Sequence, residues 1–118
     1  MGTVLHWIPA LVTIGLIVFL SHQSRLPGAG LGLNPLLHLI EYAFLTLTLV
    51  WGGSAGLRRR IRTRQLVWLW ILGTLFAVTD EIHQSFVPGR DASAGDVLAD
   101  VAGITLVLAA YRLVRNRF

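Results

Sequence analysis

The chain is 118 residues long, the length of one small domain, with 54% hydrophobic and only 14% charged residues; its mean hydropathy of +0.66 lies far outside the range of soluble domains. It has no cysteine, which excludes disulfides, thiolate metal sites and thiol nucleophiles and leaves the redox compartment open. The formal net charge is +4 and every basic residue is Arg. Such a balance suggests a nucleic-acid partner at first sight, but the arginines fall where membrane topology requires them and no nucleic acid is expected.

Hydropathy predicts an all-α, polytopic membrane protein: one domain over residues 1–118, built as a bundle of four spanning helices at roughly 3–21, 35–56, 65–86 and 95–114. Each stretch is close to the ~20 residues that a spanning helix needs. The first has no basic segment before it and no small-x-small cleavage site, so it reads as a retained helix rather than a signal peptide. Asn34-Pro35 is a good opening for the second, with Asn as cap and Pro in the first turn. Gly52-x-x-x-Gly56 fits close helix packing within the fold. The third span ends at a turn, Val87-Pro88-Gly89-Arg90. Ser93-x-x-Asp96 resembles a capping box opening the fourth.

The arginines orient the bundle. Arg58, Arg59, Arg60, Arg62 and Arg64 fill the loop between spans two and three, and Arg112, Arg115 and Arg117 close the chain. Only Arg25 and Arg90 lie in the other loops. By the positive-inside rule the middle loop and both termini are cytoplasmic, and all six carboxylates then fall toward the outer side. Five of the six lie between Asp80 and Asp100. Counting helical rise from Arg112, Asp100 stands roughly 18 Å and Asp96 roughly 24 Å into a core about 30 Å thick; Glu41 and Asp80, counted from Arg58 and Arg64, reach roughly 24–25 Å. One polar layer is expected, supplied by three helices.

Helical spacing agrees. His38, Glu41 and Tyr42 share a stripe, as do Asp80, His83 and Gln84, and Asp96, Asp100 and Gly103. Asp80 and Glu81 are neighbours that point roughly 100° apart. Ionisable groups at this depth persist where they pair, line a wet cavity or act on something. Candidate ligand-binding residues are therefore His38, Glu41, Tyr42, Asp80, Glu81, His83, Gln84, Arg90, Asp96 and Asp100. Asp80, Glu81 and Asp100 are the candidate acids or bases. The competing structural reading is a hydrogen-bonded girdle in which Arg90 neutralises an acid. No cofactor is expected. A metal-free network ranks above a metal site, for which His38, Glu41, His83, Asp96 and Asp100 are the candidate ligands, the first three foremost.

These residues resemble the VanZ-like family, named for a teicoplanin-resistance protein. The similarity runs from roughly residue 20 to 105 and rests on His38-x-x-Glu41-Tyr42, on Asp80-Glu81-x-His83-Gln84-x-Phe86-x-x-Gly89-Arg90, and on Asp96-x-x-x-Asp100-x-x-Gly103. The resemblance implies a multi-pass protein of the bacterial cytoplasmic membrane linked to glycopeptide resistance, but it implies no particular reaction. The expected partners are membrane lipids and a lipid-linked cell-wall precursor or lipoglycopeptide, held at an outward-facing acidic pocket, with an oligomer allowed. Two alternatives stay open: an intramembrane hydrolase or transferase, metal-assisted or not, acting on lipid phosphates, and a small proton-coupled carrier.

Overall fold

The computed structural model describes residues 2–23 and 34–117. The described residues form five helices: α1 (Gly2–Leu5), α2 (Ile8–Ser21), α3 (Asn34–Gly53), α4 (Thr63–Ser85) and α5 (Ala94–Arg117). Four stretches are long and apolar enough to cross a membrane: Thr3–Ser21, Asn34–Gly53, Thr63–Ser85 and Ala94–Arg117. The first, expected as one helix, is interrupted at His6 and Trp7. Pro9 sits in the first turn of α2, where a residue without an N–H is tolerated but cannot continue a ladder from α1.

Local chemistry explains the other ends. α3 stops at Gly53, short of the expected residue 56, because Ala55, Gly56 and Leu57 all adopt positive φ. The Gly56 amide donates to the Trp51 carbonyl at 2.9 Å and the Ser54 hydroxyl to the Val50 carbonyl at 2.6 Å, which satisfies carbonyls left free at the helix end. α4 ends at the expected turn. Gly89 has φ +80° and the Arg90 amide closes on the Val87 carbonyl at 3.2 Å, as a Pro-Gly turn requires.

α3 is the central helix and packs most extensively on α5, with α2 on another side; α4 packs chiefly against α5. The core joins Ile17, Tyr42, Leu45, Ala77, Ile104 and Leu108. Around it runs an apolar surface that includes Leu11, Phe19, Phe44, Trp68, Leu75 and Leu106. In water a patch of this extent would be a liability, whereas for a membrane span it is the solvent-matched face.

Gly103 sets the α3–α5 distance. A Cβ there would collide with the Leu39 carbonyl oxygen and lie 3.0 Å from the Ala43 nitrogen, both backbone atoms. Gly52 packs within the fold as expected, facing the Trp7 ring, but Gly56 lies in the turn beyond α3, against His6.

Replacing Gly103 by Ala should therefore lower bundle stability by about 1–3 kcal/mol, the usual scale for overpacking. Gly15, whose added Cβ would meet nothing within 4 Å, is the control. Thermal unfolding in mild detergent checks this, and equal melting of the Gly103→Ala variant and the parent would contradict it.

Candidate functional site

The ends of four helices meet at one end of the bundle. Ser21 closes α2, His38 and Tyr42 occupy the first turns of α3, Asp80, Glu81 and Gln84 the last turns of α4, and Asp96 and Asp100 the first turns of α5. All eight are buried. The eight arginines of the Arg58–Arg64 loop and the C-terminal segment gather at the opposite end.

The buried layer has two wings, because Asp80 and Glu81 leave α4 in different directions. In the first wing Asp80 is the acceptor. It takes a hydrogen bond from the Ser21 hydroxyl, another from the Tyr42 hydroxyl at 3.1 Å and a third from the Gln84 amide at 3.3 Å. Such bonds compensate a carboxylate without a cation. Gln84 accepts in turn from the Arg90 guanidinium at 2.7 Å, and Arg90 also donates to the carbonyls of Gln23 (3.4 Å) and Leu20 (3.5 Å). Arg90 thus acts as a cationic cap on the C-terminal end of α2, where the helix dipole favours positive charge.

The second wing centres on His38. Its Nδ1 lies 2.9 Å from Asp100 Oδ1 and its Nε2 lies 3.7 Å from Asp96 Oδ2. Asp100 is completely buried. Glu81 accepts the Ser93 amide at 2.7 Å, and the Ser93 hydroxyl accepts the Asp96 amide at 3.1 Å. The expected capping box is therefore split between helices. Ser93 caps α5 as predicted, but the carboxylate bonded to its own amide is Glu81 of α4, and the Asp96 side chain turns toward His38. Glu81 Oε2 and Asp100 Oδ2 have no hydrogen-bond partner among the described residues. An unpartnered buried polar atom costs about 1–3 kcal/mol.

Three placements differ from expectation. His83 is exposed and stands apart from its stripe-mates Asp80 and Gln84, its Nε2 3.3 Å from Nδ1 of His22; a stripe is wide enough for its edge to leave the interior. Glu41 is half-buried and makes no hydrogen bond to the described residues. Arg90 forms no ion pair with Glu81 or Asp91, because its donors are spent on Gln84 and the end of α2. Arg25, the other outer cation, lies outside the described residues.

The trio whose ligand atoms come within 4.8 Å of one another is His38, Glu81 and Asp100, all buried. It shares His38 and Asp100 with the candidates singled out by spacing and adds Glu81, while Glu41 and His83 are not part of it. Among the described residues, Glu81 is reached by a groove of about 270 Å³ between α4 and α5, where it and Ser93 meet apolar walls from Val78, Ile82 and Val97. Ser21 is the residue that periodicity did not single out: it ends an apolar run and gains a role only through Asp80, 59 positions away.

Fold and site together define a polytopic membrane protein with a polar layer enclosed at one end of a four-span bundle. A family model described as VanZ/LLP1 matches residues 3–115. The match covers nearly the whole chain, and the protein belongs to this family. Comparison with curated proteins and with solved structures finds no match.

The His38–Asp100 contact should behave as a coupled pair. Truncating His38 alone leaves a buried carboxylate without its partner and should cost about 3–5 kcal/mol. In a double-mutant cycle, His38→Ala with Asp100→Ala should show a coupling of about 1–3 kcal/mol. Strictly additive losses in unfolding measurements would show that the pair does not form.

Proposed function

We propose that the protein recognises the head group of an envelope amphiphile, either a lipid-linked cell-wall precursor or a lipoglycopeptide, and in this way contributes to glycopeptide resistance of the teicoplanin type. The observation that carries the reading is the groove between α4 and α5. Its walls are apolar, it opens on the lipid-facing side of two helices, and it ends on Glu81 and Ser93 at the edge of the buried layer. An acyl or polyprenyl chain suits such walls, and sugar or peptide groups suit a carboxylate and a hydroxyl. Family membership supports the setting.

In this reading the arginine-rich end faces the cytoplasm of a bacterial inner membrane, and the acidic layer faces outward. The chain has no cysteine, so a single introduced one reports topology without background. In intact cells Asp91→Cys should react with a membrane-impermeant maleimide and Arg59→Cys should not. The reverse pattern would overturn the orientation.

Ligand recognition has its own test. Native mass spectrometry of protein extracted with its own lipids should show a co-purifying amphiphile. Ile82→Trp, which fills the groove and leaves every charge in place, should remove that amphiphile and weaken teicoplanin protection, roughly tenfold for each 1.4 kcal/mol of binding lost. Protection and capture unchanged at equal protein level would exclude the groove.

A second reading, a hydrolase or transferase acting on lipid phosphates, is favoured by one feature. His38 is held by Asp100 at 2.9 Å, as a base is held by its orienting acid. Turnover of lipid phosphates by folded, purified protein discriminates, and none is expected if binding is the whole function.

A further inference from the structure

We infer that His38, Glu81 and Asp100 form a binding site for a divalent cation of the zinc or manganese class. Three helices contribute one ligand each: α3 an imidazole, α4 and α5 a carboxylate. Their ligand atoms already lie within 4.8 Å of one another. Atoms bound at about 2.0–2.2 Å to one ion are separated by roughly 3–4.4 Å. Closing the site therefore takes side-chain adjustments of less than about an ångström, within rotamer reach and without moving a helix.

The state of the two carboxylates points the same way. Glu81 keeps one oxygen on the Ser93 amide while Oε2 has no partner among the described residues; Asp100 keeps one oxygen on His38 while Oδ2 has none. Both side chains are more than nine-tenths buried. Asp80, one position away, has all of its surroundings supplied by hydroxyl and amide donors. Glu81 and Asp100 have an acceptor to spare each and share a cluster with the His38 imidazole, and Asp96 adds a further carboxylate at its other ring nitrogen. Arg90, the outer cation of the described residues, is committed to Gln84 and the end of α2. The wing thus sets three carboxyl groups against one imidazole, and a divalent ion would stabilise their ionised forms.

Asp96 gains a definite role. When the Nδ1 lone pair of His38 is given to an ion, its hydrogen bond to Asp100 is exchanged for shared coordination, and the ring proton sits on Nε2, the atom facing Asp96 Oδ2 at 3.7 Å. A carboxylate on the other ring nitrogen is the usual means of fixing the tautomer of a metal-bound histidine. One nitrogen and two oxygens suit Zn²⁺ or Mn²⁺ and disfavour thiophilic ions. Of the co-ligands that spacing offered for His38, Asp100 joins this cluster and Glu41 and His83 do not.

The test is titration of the full chain, purified in detergent and freed of metal, with Zn²⁺ alone and with Mn²⁺ alone. One ion per chain is expected. Its affinity should fall at least roughly tenfold in Glu81→Gln and in Asp100→Asn, and stay unchanged in Asp80→Asn. The exposed His22–His83 pair is the competing site, so binding must survive His83→Ala. Pulsed electron paramagnetic resonance of bound Mn²⁺ should show coupling to one imidazole nitrogen in the parent protein, a readout that stands even if a variant fails to fold. Absence of a stoichiometric ion in the folded parent, or its loss in His83→Ala, would overturn the inference. The proposed amphiphile stands separately: capture that persists in folded protein with no ion refutes the metal site alone, and an ion bound without any amphiphile refutes the proposed ligand alone.

Discussion

A carboxylate with no solvent exposure, Asp100, is held against the imidazole of His38 in the polar layer of a largely apolar helix bundle. Much of the surrounding arrangement follows from that contact. An uncompensated carboxylate in this setting is expensive, so α3 must approach α5 closely enough for the pair to meet. Gly103, one turn below Asp100, makes the approach sterically feasible because the α3 backbone passes where a side chain would otherwise stand. A polar requirement and a packing device on the same helix face serve one crossing.

The remaining acids are accommodated by different means, and the difference matters for function. Asp80 is surrounded by neutral donors from three helices and reads as structural cement. Glu81 ties α4 to the first turn of α5 through the Ser93 amide, and in doing so frees Asp96 to face His38. The division follows from helix geometry, since adjacent residues cannot share a direction. One wing is saturated; the other retains acceptor capacity and lies beside a groove that reaches the lipid-facing surface.

Much of this was legible before any coordinates. Four apolar stretches, the arginine distribution and the rise per residue led to a four-span bundle with acids at one level, and the motifs around His38, Asp80 and Asp96 led to the family that the chain matches. What escaped was local or reciprocal. The interruption at His6–Trp7 depends on Pro9 within an apolar run that hydropathy averages over, and positive φ at Ala55 and Leu57 has no marker as clear as glycine. The exposure of His83, the diversion of Arg90 to backbone carbonyls and the recruitment of Ser21 depend on rotation of each helix about its axis. Periodicity constrains which residues share a face; it does not say where the edge of that face falls. The exchange of partners between Ser93, Asp96 and Glu81 joins two helices and lies outside any single-helix motif.

The account turns on the acids and His38 closing on one another within the bundle. An experimental structure of the protein in a lipid nanodisc tests this most directly. His38 should lie within hydrogen-bonding distance of Asp100, with Glu81 reaching the first turn of α5. Side chains of Asp80, Glu81 and Asp100 turned outward to the acyl chains, or α3 and α5 held apart at Gly103, would contradict it.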